Sequence, residues 1–563
     1  MAQQFDYPKT ETKLREIQDK LYQHSKEVYD AGGRPAFKGL LEIMSAEATI
    51  ITAIHNIKSN RGSETPGVDF KTMRRDYLQH SHSWVIRNIQ SAFRHFEPQK
   101  IRRVYIDKPG KSEKRPLGIP TIRDRIVQEC MRIVMEPIME AQFFAHSYGF
   151  RPMRDAPMAL KRVQFLTHST GYYWIVEGDI SKCFDCIDHG KLLKQMWTLG
   201  IRDKKLLSII SAMLKAEVAG IGFPEKGTPQ GGIISPLLSN IVLNELDWWI
   251  ASQWEKFPTH RKYSQIRLGN GNSYDASKYG ALRNGSRLKE VTCVRYADDF
   301  KLFAKSYKQA KKLFYAVTDW LKHRLGLEIS PEKSKIVNLK ERYSEFLGLR
   351  IKAVNHGSEK KPKFVVESHI NEKSLRKIKS NLERLIHDIK FSGHGKRTEY
   401  EAVSRYNSYV IGVHNYYSMA TMVCDDLSFT AFSVQKSLRA RMGKRLKTAK
   451  QVRKRKLNYV IPDYIKVRYG KSEQLRYVDG YALAPIGYVK HRNPMHKRRI
   501  VNSYTPEGRG AIHKALGKNI NTVIMHYLMR NPIPYRSAAY NDNRISLYCA
   551  QFGKCAVTGE MLN

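Results

Sequence analysis

Asp298 and Asp299 stand side by side between two short β-prone runs, residues 291–296 and 300–304, which together read as a hairpin with carboxylates at its tip. Adjacent carboxylates beside a sheet repel each other and resist desolvation unless a cation joins them. Alone, an Asp-Asp turn is more often structural, because Asp tolerates turn geometry and caps neighbouring amides. A third carboxylate changes the weighing. Asp179 ends the apolar run 172–178, and strand ends are where sheets present ligands. If that strand pairs beside the hairpin, three side chains converge, enough to hold two magnesium ions that keep positions for water and phosphate oxygens. Two such ions could activate a 3′-hydroxyl and stabilise departing pyrophosphate in an in-line displacement, which is nucleotidyl transfer.

The surrounding elements suit such a site. A strand over 173–180 runs into a helix, and Gly227-Thr228-Pro229-Gln230-Gly231-Gly232 precedes a strongly apolar helix over 235–250. Residues 102–120 read as another hairpin, with a turn at Pro109-Gly110-Lys111-Ser112. A charged amphipathic helix is predicted over 11–28 and a second helix over 38–58, followed by the turn-rich loop 60–69. Beyond about residue 370 the reading turns helical and basic; residues 439–456 carry ten Lys or Arg in eighteen positions and no acid. Such a run is by default a solvated helix face, but in a polybasic chain it points to phosphate.

The chain has 563 residues, 97 of them Lys or Arg against 53 Asp or Glu, a net charge of +44. This length exceeds one small domain, and 42% hydrophobic with 10% aromatic residues excludes global disorder. So large a positive excess is suited to a polyanion, held by release of condensed counterions, and nucleic acid is the first partner implied. Seven scattered cysteines form no disulfide framework, which points to a reducing compartment. Residues 1–7 lack a signal-peptide core and no long uncharged apolar run appears, so a cytoplasmic protein without a membrane partner is expected.

Arg295-Tyr296-Ala297-Asp298-Asp299-Phe300, the Pro229-Gln230-Gly231 turn running into Ser235-Pro236-Leu237-Leu238, and Arg115-Pro116-Leu117-Gly118-Ile119-Pro120 closely resemble blocks of the reverse transcriptase of group II intron-encoded proteins, in the same order. Ser147-Tyr148-Gly149-Phe150-Arg151-Pro152, Ser330-Pro331-Glu332-Lys333-Ser334-Lys335 and Phe346-Leu347-Gly348 resemble further blocks, so the likeness runs from about residue 55 to about 540. The resemblance implies an α+β right-hand polymerase with fingers, a palm built on an antiparallel sheet, a helical thumb and a basic C-terminal DNA-binding region. It assigns Asp179, Asp298 and Asp299 as the catalytic, metal-binding triad, with Ile180 beside them in the metal and nucleotide set. Phe184 falls where the family places the aromatic that stacks under the incoming sugar and rejects a 2′-hydroxyl; without the resemblance it would read as a core residue. Gln230 resembles the residue lining the nascent base-pair pocket, and Lys108, Arg115 and Arg102 sit where the family grips the triphosphate.

The resemblance divides the chain into an N-terminal extension (1–90), fingers and palm (91–360), thumb or maturase region (361–464), DNA-binding region (465–543) and the opening of an HNH endonuclease domain (544–563). Arg61, in the loop expected over the template, and Arg439, Arg441, Lys444, Arg445, Lys447, Arg453 and Arg455 are the expected nucleic-acid contacts. Cys549 and Cys555 alone cannot close a four-ligand zinc site, so no endonuclease activity is expected. His491 and His496 make a weak metal-site alternative, having no cysteine near in sequence. The implied partners are intron RNA in a lariat ribonucleoprotein, target DNA and deoxynucleoside triphosphates, with magnesium as cofactor and a bacterial host, the protein joining the nucleoid when on target DNA. Alternatives are a maturase acting only in splicing, which would need no triad, and a related reverse transcriptase recruited to defence or repair.

Overall fold

The computed structural model describes residues 7–107, 113–168, 170–264, 266–267, 273–392, 398–457, 459, 461–493, 501–514, 522–533, 536–555, 558 and 560–562. The amphipathic helix Glu11–Asp30 leads, and the expected 38–58 helix is two, Leu40–Met44 and Glu47–Lys58, broken at Ser45-Ala46. Strands β1 (Arg102–Asp107) and β2 (Lys114–Ile119) form the expected antiparallel hairpin. They are followed by the largely buried helix Ile122–Glu140 and by β3 (Trp174–Asp179). The apolar helix Ser235–Gln253 starts with a proline in its first turn, where the missing N–H costs nothing. Beyond it come a two-residue hairpin, β4 (Ile266–Arg267) and β5 (Ser273–Tyr274), and the central hairpin, β6 (Thr292–Tyr296) and β7 (Asp299–Ala304). Strand β8 (Lys335–Asn338) then completes a four-stranded antiparallel sheet in the order β6-β7-β3-β8.

Period-two alternation gives this sheet two distinct faces. Val176, Cys293, Phe300 and Leu302 point into one hydrophobic core, shared with the helices Ile122–Glu140, Ser235–Gln253 and Tyr307–Trp320. Ile175, Val294 and Phe303 point into a second core, shared with the C-terminal helices. The second core begins at a small sheet, β9 (Ser344–Phe346), β10 (Leu349–Asn355) and β11 (Phe364–Ile370), and continues through the helices Glu372–Lys390, Glu399–Tyr417 and Val423–Met442. These three helices lie within the span 361–464 expected to be the helical thumb. The basic run 439–456 is not one helix: it breaks at Gly443, passes through β12 (Leu446–Thr448), and resumes as the helix Ala449–Lys454. Strand β12 pairs with β13 (Arg476–Val478), which pairs with β14 (Tyr481–Leu483), a sheet the helical reading did not include.

The chain then returns to its beginning. Arg509 binds Asp19 through two bonds of 2.7 Å, Asp542 accepts two bonds from Arg15, and Tyr504 donates to Glu136 at 2.8 Å while stacking on Tyr22. The helices Pro506–Lys514, Thr522–Arg530 and Ala538–Ala550 thus pack beside the helix Glu11–Asp30. The divisions expected at 90/91, 464/465 and 543/544 each fall inside a helix: His82–Arg94, Asp463–Tyr469 and Ala538–Ala550. Cys549 is a buried free thiol packed with Met525, Ile545 and Tyr548.

Gly178 lies directly across from Phe300, and the ring covers it: a Cβ there would sit 2.1 Å from Phe300 Cζ. Both residues belong to the strands that carry the carboxylates. Gly178→Ala is therefore expected to cost about 2–3 kcal/mol or more by overpacking, measured by denaturant unfolding. Phe300→Leu in the same chain should recover much of it, and an unchanged midpoint in the single variant would refute the contact.

Candidate active site

The antiparallel pairing of β3 with β7 sets Asp179 directly opposite Asp299, on the sheet face that looks toward the thumb. Asp298 occupies the two-residue turn between β6 and β7, and its carbonyl accepts the Ile180 N–H at 3.3 Å. The other turn residue, Ala297, has φ of +57°, the left-handed region that tight hairpins require and side chains disfavour. The three expected carboxylates therefore gather at one end of one sheet.

A buried cation fixes that turn from behind. Arg295, 1% exposed, donates to both oxygens of Asp247 at 2.8 and 2.6 Å, to Asn240 Oδ1 at 3.1 Å and to the Ala297 carbonyl at 2.8 Å. Asp247 and Asn240 come from the helix Ser235–Gln253, and Asn240 also donates to the Gly149 carbonyl at 2.9 Å. An isolated charge in such a core would be very costly; here the guanidinium meets a matching carboxylate and two further acceptors.

Two lysines face the carboxylates. Lys333 Nζ lies 2.8 Å from Asp179 Oδ1, and the segment bearing it wraps the strand end: Ser330 N donates to Asp179 O at 2.8 Å and Asp179 N to Ser334 Oγ at 3.2 Å. Lys301, 5% exposed, sits 3.5 Å from Asp299 and 3.8 Å from Glu177, with its ammonium over the Phe346 ring. Burial, with the Asp179 charge behind it, holds Asp298 above the usual carboxylate range. Burial pushes Asp299 up to about 6, with Lys301 opposing and the charges of Asp179 and Glu177 adding. Among the described residues no three His, Cys, Asp or Glu side chains already converge as metal ligands. Still, an oxygen-only donor set under mutual repulsion fits a hard divalent cation, and in its absence Lys333 and Lys301 offset part of the negative charge.

The nucleotide-binding residues divide. Phe184 is on a short 3-10 turn, Cys183–Cys186, tied to the Pro-Gln-Gly segment by Thr228 N to Phe184 O at 2.7 Å and Gly227 N to Ile187 O at 2.7 Å. Gln230 donates to Asp185 at 3.2 Å while its carbonyl accepts Gly118 N at 2.8 Å, joining this segment to the base of the β1-β2 hairpin. Arg102 and Arg115 share one face of that hairpin, but Arg102 lies at its base and exposed Arg115 toward its tip. The Ile180 side chain is buried, so only its backbone could meet an ion. Lys108 lies outside the described residues, as do the side chain of Arg61 and His496. The loop 60–69 itself is anchored: the buried Arg125 donates to Gly62 O at 2.9 Å and Thr65 O at 2.5 Å.

Of the basic thumb residues, Arg439, Lys444 and Arg455 are exposed, and Arg441 and Lys447 half-buried. Arg445 is committed to Asp479 and Arg453 to Glu473. His491 bonds the Ala420 carbonyl at 3.0 Å. Asp247, Asn240, Lys301, Lys333 and Arg125 were not singled out by sequence reading. Asp247 carried a usable signal, one of two acids, with Glu245, inside an otherwise apolar helix.

Residues 106–351 match the model of the reverse transcriptase (RNA-dependent DNA polymerase) family. Protein YkfC of Escherichia coli (strain K12) is 33% identical over 366 residues, covering 63% of this chain and 92% of that protein. The group II intron-encoded protein LtrA of Lactococcus lactis subsp. cremoris is 31% identical over 439 residues, 68% of this chain and 71% of LtrA. The chain belongs to the group II intron-encoded reverse transcriptases. It is an RNA-directed DNA polymerase, and reverse transcriptase domains generally work with divalent metal ions. A shorter likeness, 30% over 178 residues, links it to Nuclear intron maturase 2, mitochondrial, of Arabidopsis thaliana, covering 24% of each chain. No helix among the described residues is long and apolar enough to cross a membrane.

Two outcomes follow for this reverse transcriptase. Asp247→Leu strands the Arg295 charge and should cost about 3–5 kcal/mol. Asp247→Leu with Arg295→Met should recover much of the melting temperature but not primer extension, because Ala297 O loses its donor; recovery of both would make the pair purely structural. The second outcome concerns pH. The folded-state pKa of Asp299, about 6, exceeds an unfolded value near 3.9, so the metal-free fold binds the extra proton. Its contribution is full below about pH 4 and is lost as pH rises through 6. Asp299→Asn should flatten that decline in metal-free thermal melts, and an unaltered decline would assign it to other groups.

Proposed function

We propose that this polymerase copies intron RNA into DNA at a nicked target, and that its basic thumb also binds the intron to promote splicing. The observation that carries the reading is the register that sets Asp179 opposite Asp299 beside Asp298. Asp179, Asp298 and Asp299 would hold two magnesium ions, with the Ile180 carbonyl as a further oxygen. Those ions would supply activation of a 3′-hydroxyl and charge neutralisation on pyrophosphate.

The chain's own residues do the rest. Arg295 and Asp247 keep the turn from shifting as charge builds, so the carboxylates need no reorganisation. Phe184 bounds the sugar and excludes a 2′-hydroxyl, Gln230 lines the base-pair pocket, and Arg102, Arg115 and Lys108 take the triphosphate. Lys333, bonded to Asp179 in the metal-free fold, would have to give up that contact for the carboxylate to hold an ion.

Arg439, Arg441, Lys444, Lys447 and Arg455 supply cations for template-primer or intron phosphates, while Arg445 and Arg453 first have to leave their acidic partners. Arg61 reaches the template from the anchored loop. In the same reading residues 465–543 bind target DNA, and residues 544–563 resemble the opening of an HNH domain. The likeness to LtrA supports an intron origin over recruitment to defence or repair.

The test is Asp298→Ala. Complementary-DNA synthesis is expected to be abolished on an RNA template while intron RNA affinity, by filter binding, stays within a few fold. Equal loss of both would show the carboxylate to be structural, and intact synthesis would remove the triad from the chemistry.

A further inference from the structure

The stretch 147–152 is held at both flanks of one exposed aromatic. On the upstream side, Tyr148 N donates to Arg295 O at 2.9 Å and Arg295 N to His146 O at 3.0 Å. Gly149 presses on the catalytic turn so closely that a Cβ would stand 2.3 Å from Ala297 N. On the downstream side, Arg151 is buried, bonded to both Glu140 oxygens at 2.7 and 2.9 Å and to the carbonyls of Phe144 and Ser147 at 2.6 and 2.7 Å.

Between these anchors Phe150 has φ of +57° and is 53% exposed. The left-handed region is unfavourable for a residue with a Cβ, and an exposed ring gains nothing from burial. Unfavourable backbone of this kind persists where its surroundings over-determine it, and it clusters at functional sites. The Phe150 ring meets that of Phe184 edge to face, with centroids 6.2 Å apart at 73°.

We propose that Phe150 is a positioning residue for nucleotide selection: its ring stands against Phe184 and keeps the Phe184 ring from swinging away from a 2′-hydroxyl. The inference rests on Phe184 as the sugar gate. Phe184 sits on a short 3-10 turn and is half-exposed, so packing does not enclose its ring on every side; the edge-to-face contact with Phe150 limits where that ring can move.

Single-nucleotide primer extension on an RNA template, comparing kcat/KM for dTTP and rUTP, tests this with Phe150→Gly, Phe150→Tyr, Phe184→Ala and the double variant Phe150→Gly/Phe184→Ala. Phe150→Gly should lower selectivity about 2- to 10-fold, the range that an edge-to-face aromatic pair is worth, chiefly through a lower KM for the ribonucleotide. Its melting temperature should hold or rise, because glycine accepts a positive φ. Phe150→Tyr should keep selectivity. The double variant should be no less selective than Phe184→Ala.

Unchanged selectivity in Phe150→Gly, alongside a loss in Phe184→Ala, overturns the role of Phe150 and leaves the gate standing. Unchanged selectivity in Phe184→Ala removes the gate itself, and the present inference with it. Additive losses in the double variant would mean that Phe150 acts independently of Phe184, which also overturns it. A fall in melting temperature without a change in selectivity would make Phe150 a packing residue.

Discussion

A guanidinium in the protein interior has to be matched atom by atom, and Arg295 shows how far that requirement reaches. Its side chain takes up Asp247 and Asn240 from the helix Ser235–Gln253 and the Ala297 carbonyl of the catalytic turn. Its backbone N–H and carbonyl bond the 146–148 segment. One residue thus fixes a helix, a hairpin turn and a neighbouring loop relative to each other. A turn containing a left-handed alanine and two adjacent acids would be a poor structure in isolation. Enclosed by these partners, it has little alternative geometry available.

The opposite face of the same strands carries the candidate carboxylates. Asp179, Glu177, Asp299 and Lys301 lie there by simple alternation, while Gly178 and Phe300 close the other side. Negative charge accumulates where the sheet ends, and burial makes ionisation of Asp298 and Asp299 unfavourable. Lys301 is permanently enclosed beside Asp299, whereas the more exposed Lys333 reaches Asp179 from a separate segment. The first is a fixed part of the electrostatics; the second is a cation that can leave.

Much of this was legible from residue order. The strands bearing Asp179 and Asp299, the β1-β2 hairpin and the apolar helix were marked by period-two and apolar patterning, and the ordered blocks identified a polymerase palm. Other features depend on three-dimensional matching that a linear pattern does not carry. Lys333 is one of many lysines until Ser330 and Ser334 clamp the segment onto the end of β3. The basic run 439–456 reads as a continuous helix because Gly443 alone gives little sign of a break, and β12 pairs with β13 between residues about thirty apart. Whether an arginine is free for phosphate turns on a distant acid, as Asp479 is for Arg445. Cys549, read from sequence only as half of an incomplete zinc set, lies in the mixed polar and apolar helix Ala538–Ala550, packed with Met525, Ile545 and Tyr548.

The two-faced central sheet has a consequence for how the molecule can be divided. The span that matches the polymerase family ends at residue 351, partway along β10, whereas the core on the thumb-side face of the sheet continues into β11 and the helices that begin at Glu372. A fragment cut at that point would keep the helix Ala156–His168 on that face but lose β11, the partner strand of β10, and every helix from Glu372 onward, exposing part of an apolar interior. The matched span and the helices that follow it therefore share one interior, and a boundary drawn by family likeness does not coincide with a boundary in the packing.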